Sequence, residues 1–103
     1  MEEEKVLQKF VEAVKKRYSG KIERIFLFGS YARGEYGEES DIDVLIIGDV
    51  PLDGLVEISF PLLLKYGVYI SPHVMTGEHF SLLEREGYGF IKNVKKEGRV
   101  IYG

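Results

Sequence analysis

Apolar residues recur at steps of three and four in several stretches of this chain, and polar residues fill the positions between them. This spacing places the apolar side chains on one face of a helix. Pro61 falls inside one of these stretches and predicts a kink or a restart there. The predicted helices cover residues 3–19, residues 53–66, a segment from an N-cap at Thr76 through Glu86, and a short segment with Phe90, Ile91 and Val94 that Gly98 ends.

Shorter apolar runs, rich in β-branched and aromatic residues, lie between the helical stretches and are typical of buried strands. Pro72 has no backbone N–H, so its strand is predicted to lie at a sheet edge or to contain a bulge. The predicted strands cover residues 22–28, 41–47 and 68–75, with a small edge strand at 99–102. Alternating helices and strands predict an α/β domain whose small mixed sheet is covered by helices.

The remaining segments complete the predicted fold. Residues 30–34 are predicted to begin a short helical turn, and residues 35–40, which are polar and contain glycine, a loop. Large apolar side chains of the second half are predicted to be core. These are Phe60, Phe80, Leu82, Leu83 and Phe90.

Length and composition narrow the possible functions. The 103 residues are predicted to form a single domain spanning 1–103. A net charge of −3 argues against a nucleic-acid-binding surface, and the lack of cysteine excludes disulfide and thiol chemistry. No apolar run reaches the ~18 residues of a membrane span, and the acidic N-terminus is unlike a signal peptide. The expected location is therefore the cytoplasm.

Two short motifs carry the candidate chemistry. Gly29-Ser30 follows a predicted strand and opens a turn whose backbone N–H groups and hydroxyl can hold phosphate, with Arg33 as an additional cation. Asp41 and Asp43 lie two residues apart on a strand, so both carboxylates point to one face and can converge on Mg²⁺ ions. Each motif alone also fits a simpler interpretation: a capped turn, a surface arginine, or acids that merely begin a strand.

Taken together, the motifs are more specific than either alone. The order of strand, Gly29-Ser30, an Ala-Arg-Gly turn, a polar loop and Ser-Asp-Ile-Asp on an apolar strand resembles the DNA polymerase β-like nucleotidyltransferase superfamily. The match is nearest to its minimal nucleotidyltransferases and is strong over residues 22–47. The resemblance implies a polymerase β palm-like fold, Mg²⁺ in a two-metal site, and ATP as substrate. It also implies Gly29 and Ser30 as phosphate-binding residues and Asp41 and Asp43 as metal ligands.

The resemblance further implies a possible partner, since several minimal nucleotidyltransferases act beside helical HEPN proteins as toxin–antitoxin pairs. In one respect this chain departs from the superfamily, which usually places a third carboxylate on a later strand. Here that strand contains neither Asp nor Glu. His73 on the strand and Glu78 just beyond it are the candidates for the missing group, and each also fits an ordinary structural role.

Two functions remain open at this point. The first is an enzyme that moves AMP from ATP to a hydroxyl presented by another protein or at a dimer interface. The second of these acceptors would require the chain to form a homo-oligomer. The second is a catalytically weak or inactive antitoxin that neutralises a HEPN-type partner by occlusion. A small-molecule nucleotidyltransferase of the antibiotic-modifying kind ranks last, because such enzymes usually need an additional domain.

Overall fold

A four-stranded mixed sheet runs through the protein, with helices packed on both of its faces. The computed structural model describes residues 2–35 and 41–103. The predicted loop at 35–40 therefore lies outside the described residues except for Glu35. In chain order the elements are α1 (Glu2–Arg17), β1 (Ile22–Phe28), α2 (Gly29–Ala32), β2 (Ile42–Gly48), α3 (Leu52–Tyr66), β3 (Ile70–Met75), α4 (Gly77–Glu86), α5 (Gly89–Glu97) and β4 (Arg99–Tyr102).

The strand order is β3-β2-β1-β4. β1 pairs antiparallel with both β2 and β4, whereas β2 pairs parallel with β3. β1 and β2 are therefore the central strands, which explains their apolar runs on both faces. The predicted α/β class with a small mixed sheet is confirmed, and the predicted elements match the observed ones to within two residues at either end.

Each face of the sheet has its own hydrophobic core. One core holds the apolar stripe of α1, residues of α3, and side chains such as Leu27 and Val44. The other lies beneath α4 and α5, where Phe80 and Ile91 pack on Phe26. Successive residues of β1 and β2 enter opposite cores because strand side chains alternate. The two acids predicted on β2 therefore share the α4–α5 face.

Of the two predictions made from prolines, the one for Pro72 is confirmed and the restart expected at Pro61 is not observed. α3 runs through Pro61 without a restart, which corrects the expectation of a restart. Pro61 and Glu57 are both exposed, so the Glu57 carbonyl, which the proline leaves without a helical donor, lies on the water-facing side of the helix. Pro72 lies on β3, at the edge of the sheet as predicted.

The expected core is only partly confirmed. Phe80 is buried and Leu83 partly so, but Phe60, Leu82 and Phe90 are among the exposed large apolar residues. A sequence identifies apolar residues more readily than it identifies which side of a helix faces the sheet. No helix within residues 2–35 and 41–103 is long and apolar enough to cross a membrane.

Candidate active site

The end of β1 and the beginning of β2 bring Gly29 against Asp43. Phe28 is the antiparallel partner of Asp43, so the chain turns at the next residue directly beside the carboxylate. Gly29 has a φ of 78°, in the left-handed region that glycine adopts readily. A Cβ on Gly29 would lie 3.1 Å from Cγ of Asp43 and closer still to its Oδ2. Glycine is thus required both by the turn and by the approach of the two strands.

Ser30 and Arg33 lie on the short helix α2 that follows this turn. Ser30 is the second residue of α2, and Arg33 is its C-cap. The Arg33 Nε donates a hydrogen bond of 2.7 Å to Oε2 of Glu35, and one of its terminal nitrogens lies 3.6 Å from Oε2 of Glu97. The guanidinium is close to the turn but ion-paired, so a phosphate would compete with two carboxylates for it.

Asp41 directly precedes β2 and Asp43 is its second residue, so strand alternation directs both to the α4–α5 face. The Asp43 side chain is 28% exposed, and Asp41 is more exposed. Burial raises the pKa of the Asp43 carboxyl. His73 opposes this rise, and the neighbouring Asp41 adds to it. The site therefore holds a carboxylate whose negative charge is costly until a cation approaches.

Strand β3 brings His73 to the same group. In the parallel register Ser71 lies opposite Asp43, and His73 lies opposite Leu45 on the same face. The His73 Nε2 is 3.6 Å from Oδ1 of Asp43 and 3.4 Å from Oγ of Ser71. The imidazole thus stands at the strand where the superfamily usually carries its third carboxylate.

Glu78, the other candidate for the missing group, is not brought to this site. β3 runs parallel to β2, and its last residue, Met75, lies beside Ile47 at the opposite end of the sheet from Asp43. Glu78 follows in the first turn of α4, where a negative charge interacts favourably with the helix dipole. It lines a separate depression with Glu23 and Arg85.

The donor set fits Mg²⁺ when a nucleotide supplies the remaining oxygens. Mg²⁺ is usually held by one or two carboxylates together with phosphate oxygens and water. Asp41 and Asp43 provide two such carboxylates beside a turn suited to phosphate. Within residues 2–35 and 41–103, no group of three His, Cys, Asp or Glu side chains is placed to hold a metal.

The sequence motifs did not predict three side-chain contacts of the site. Phe28 contacts the His73 ring edge-on at a centroid distance of 5.2 Å and meets Phe90 of α5 at 5.4 Å. Ser71 completes the contacts of His73. In the sequence, Phe28 and Ser71 are typical of ordinary core or edge positions of strands. Only the alternation of side chains along β1 and β3 signals which face they share.

Comparison with known families agrees with this geometry. Residues 7–101 match the family model described as the nucleotidyltransferase domain. A protein of Methanocaldococcus jannaschii named "Putative protein adenylyltransferase MJ0604" is 51% identical over 102 residues, covering 99% of this chain and 100% of that protein.

Two solved structures share the fold. One is described as a toxin–antitoxin with AMP-PNP; it has a TM-score of 0.60 and 21% identity, and the match covers 91% of this chain and 71% of that one. The other is a tri-AMPylated HEPN toxin of Shewanella oneidensis in complex with an MNT antitoxin. It has a TM-score of 0.52 and 18% identity, and the match covers 95% of this chain and 72% of that one.

Proposed function

Because this chain belongs to the nucleotidyltransferase domain family, we propose that it transfers AMP from ATP to a hydroxyl group on a protein partner. The observation that carries the proposal is the contact between the Gly29 turn and Asp43. In this proposal, the turn at Gly29 binds phosphate and the Asp43 carboxylate on the adjacent strand binds metal, and their closeness supports these roles. A nucleoside triphosphate bound there has its phosphates next to the carboxylates.

Each residue of the site has a defined task in this proposal. The backbone at Gly29 and the Ser30 hydroxyl hold the outer phosphates, and Arg33 exchanges Glu97 for a phosphate oxygen. Asp41 and Asp43 are the residues that would hold Mg²⁺. When bound, the metal supplies charge stabilisation for the attacking and leaving oxygens.

The transfer exchanges one bond to phosphorus for another. The acceptor oxygen forms a bond to the α-phosphorus, while the bond from that phosphorus to the pyrophosphate oxygen breaks. Pyrophosphate leaves with the electron pair of the broken bond. The hydroxyl proton passes to His73 or to water, since His73 is the one described base on β3 beside Asp43.

A protein acceptor agrees with the descriptions of the relatives. The Methanocaldococcus relative is named as a protein adenylyltransferase, and one structural neighbour is an antitoxin bound to a modified HEPN toxin. We therefore propose a HEPN-type helical protein as the acceptor for this chain.

The direct test is transfer of label from α-³²P-ATP with Mg²⁺ to a HEPN-type protein from the same genome. We expect labelled partner with the intact chain and none with the Asp41→Ala/Asp43→Ala double variant. Absence of labelled partner, or equal labelling by the double variant, would contradict the proposal.

Substitution of His73 tests its part in the reaction. We expect His73→Ala to lower kcat by about 100-fold or more, the lower end of what a positioned base contributes, with little change in KM for ATP. His73→Asp restores a carboxylate on β3 and is expected to retain most of the activity. His79→Ala, at the other histidine, which is also exposed but lies on α4, is the matched control. Equal kcat values for the two alanine variants would show that His73 does not accept the proton in the reaction.

A second function is favoured by the exposed apolar stripe of α3, formed by Leu52, Val56, Phe60 and Leu64. Leu64 is 72% exposed and lies near the C-terminal end of α3. Shortly after this helix, the Tyr69 carbonyl accepts a hydrogen bond from the Ile42 N–H at the start of β2. The stripe thus ends at the end of the sheet where β2 begins after Asp41, on the face opposite the α4–α5 face. We propose that a HEPN-type partner covers it, either to present its hydroxyl or to be neutralised by occlusion alone.

Charge placed on the stripe tests whether the partner covers it. We expect the Phe60→Lys/Leu64→Lys variant to weaken binding of the HEPN-type partner by about 30-fold or more, because even one buried anchor is typically worth ~2 kcal/mol. Binding is measured by titration calorimetry, and Leu82→Lys on α4 is the matched control. Equal affinity of both variants would reject this surface. If Asp41→Ala leaves neutralisation of the partner intact, occlusion rather than transfer is the function.

A further inference from the structure

A cavity of about 240 Å³ opens beside the Gly29 turn, between the end of β1 and α5. It is contiguous with the proposed phosphate site because Gly29 and Arg33 line both. The other residues that matter for its chemistry are Phe28, Phe90, Asn93 and Glu97. The cavity is smaller than the ~300–1,000 Å³ pockets that hold whole drug-sized ligands, so its size suits a single ring system.

The cavity wall offers an aromatic surface. Phe90 is 45% exposed although it belongs to α5, whose Ile91 and Val94 are buried against the sheet. Its ring meets Phe28 at 90°, with 5.4 Å between the ring centroids, which holds Phe90 from one side. Phe28 is in turn the strand partner of Asp43. A flat ring attached to a phosphate near Asp43 can therefore stack on Phe90.

The cavity also offers a polar group suited to a base edge. Asn93 lies one turn after Phe90 on α5, at the same wall of the cavity. Its amide combines a donor and an acceptor, the pair that matches the N6 and N7 positions of adenine. Glu97, one turn further, is held by Arg33 and faces the phosphate side.

We infer that the cavity between Phe28, Phe90 and Asn93 binds the nucleobase of the donor nucleotide, a purine, by stacking on Phe90 and hydrogen bonding to Asn93. This inference rests on the proposed function, since it assumes that a nucleoside triphosphate binds at Gly29 and Asp43. It assigns to α5 a role in nucleotide selection that neither motif of the sequence supplies.

The test compares the affinity of the protein for a Mg²⁺-bound nonhydrolysable ATP analogue with its affinity for Mg²⁺-bound inorganic tripolyphosphate, which lacks the base. We expect Phe90→Ala to weaken binding of the ATP analogue by about 10- to 100-fold and to leave tripolyphosphate binding unchanged. Phe90→Tyr is expected to retain the affinity. Asn93→Ala is expected to reduce the preference for the ATP analogue over its pyrimidine counterpart. Leu82→Ala, at an apolar residue of α4 that is 45% exposed like Phe90, is the control.

The outcomes separate the two proposals. If the unsubstituted chain binds the ATP analogue no better than tripolyphosphate, the base subsite is wrong while the phosphate site stands. Equal weakening of both ligands by Phe90→Ala, or no weakening of either, also overturns the subsite. If the unsubstituted chain binds neither ligand, the proposed function fails and the subsite fails with it. Thermal melts of each variant verify that the fold is retained.

Discussion

Replacing Asp43 with asparagine is expected to lower the rate of adenylyl transfer about 1,000-fold while making the metal-free protein more stable. In the proposed mechanism, the neutral amide would lack the negative charge needed to hold Mg²⁺ against the phosphates. Loss of about 4 kcal/mol of transition-state stabilisation corresponds to a decrease in kcat of about 1,000-fold. The assay is transfer of label from ATP to the HEPN-type partner under saturating Mg²⁺.

The gain in stability follows from the raised pKa of Asp43, whose main cause is burial. The pKa of this acid is higher in the folded state than in the unfolded state, where it is about 3.9. Such a group makes its full contribution to stability at pH values below the unfolded pKa. This contribution is lost as pH rises through the folded pKa, so ionised Asp43 destabilises the protein at neutral pH. Asp43→Asn removes the loss, and its Tm in EDTA should exceed that of the unsubstituted chain near pH 7 but not near pH 3.

The control for this prediction is Asp49→Asn, at an exposed acid beyond the opposite end of β2. It should change neither kcat nor the pH dependence of Tm. Added Mg²⁺ and nucleotide should stabilise the Asp49→Asn variant but not the Asp43→Asn variant. A Tm for Asp43→Asn below that of the unsubstituted chain at pH 7 would contradict the assigned cost of the buried charge.

Substitution of Gly29 by alanine is expected to have the second-largest effect. The left-handed φ costs an alanine about 1–2 kcal/mol, and the new Cβ would press on the Asp43 carboxylate. Relieving this contact moves Asp43 relative to the phosphate turn. A displacement of roughly 1 Å lowers turnover by about 100-fold. We expect both a lower free energy of unfolding and at least this loss of kcat.

Gly34→Ala separates these two causes. Gly34 has the same φ of 78° as Gly29, but nothing lies within 4 Å of a Cβ built there. It should therefore show the backbone cost in urea unfolding without the loss of kcat. Equal kcat values for the two variants would mean that the contact with Asp43 has no part in positioning the site.

The sequence predicts a structural feature well when the residues that determine it lie close together along the chain. The period of apolar residues and the turn residues locate the helices and strands to within two residues, and Thr76 caps α4 as predicted, accepting a hydrogen bond from the His79 N–H. The exposed Phe60 and Phe90 were predicted as core, because an apolar residue on a helix does not reveal whether a partner or a ligand covers it.

The site shows the same division. Gly29, Ser30, Asp41 and Asp43 could be proposed because each pair is close in sequence. The approach of His73 to Asp43 depends on the parallel register of β2 and β3, which adjacent residues do not specify. Glu78 was proposed on nearness in sequence, and the direction of β3 carries it to the opposite end of the sheet.

The position of β4 has a consequence for how the protein folds. β1 pairs with β2 across a short segment, but its other edge pairs with β4, near the far end of the chain. Closing so long a loop costs conformational entropy before the contact can form, and such nonlocal pairing slows folding. We expect β1 and β2 to pair early and β4 to join late. Until β4 joins, β1 presents an open strand edge on which other chains can pair.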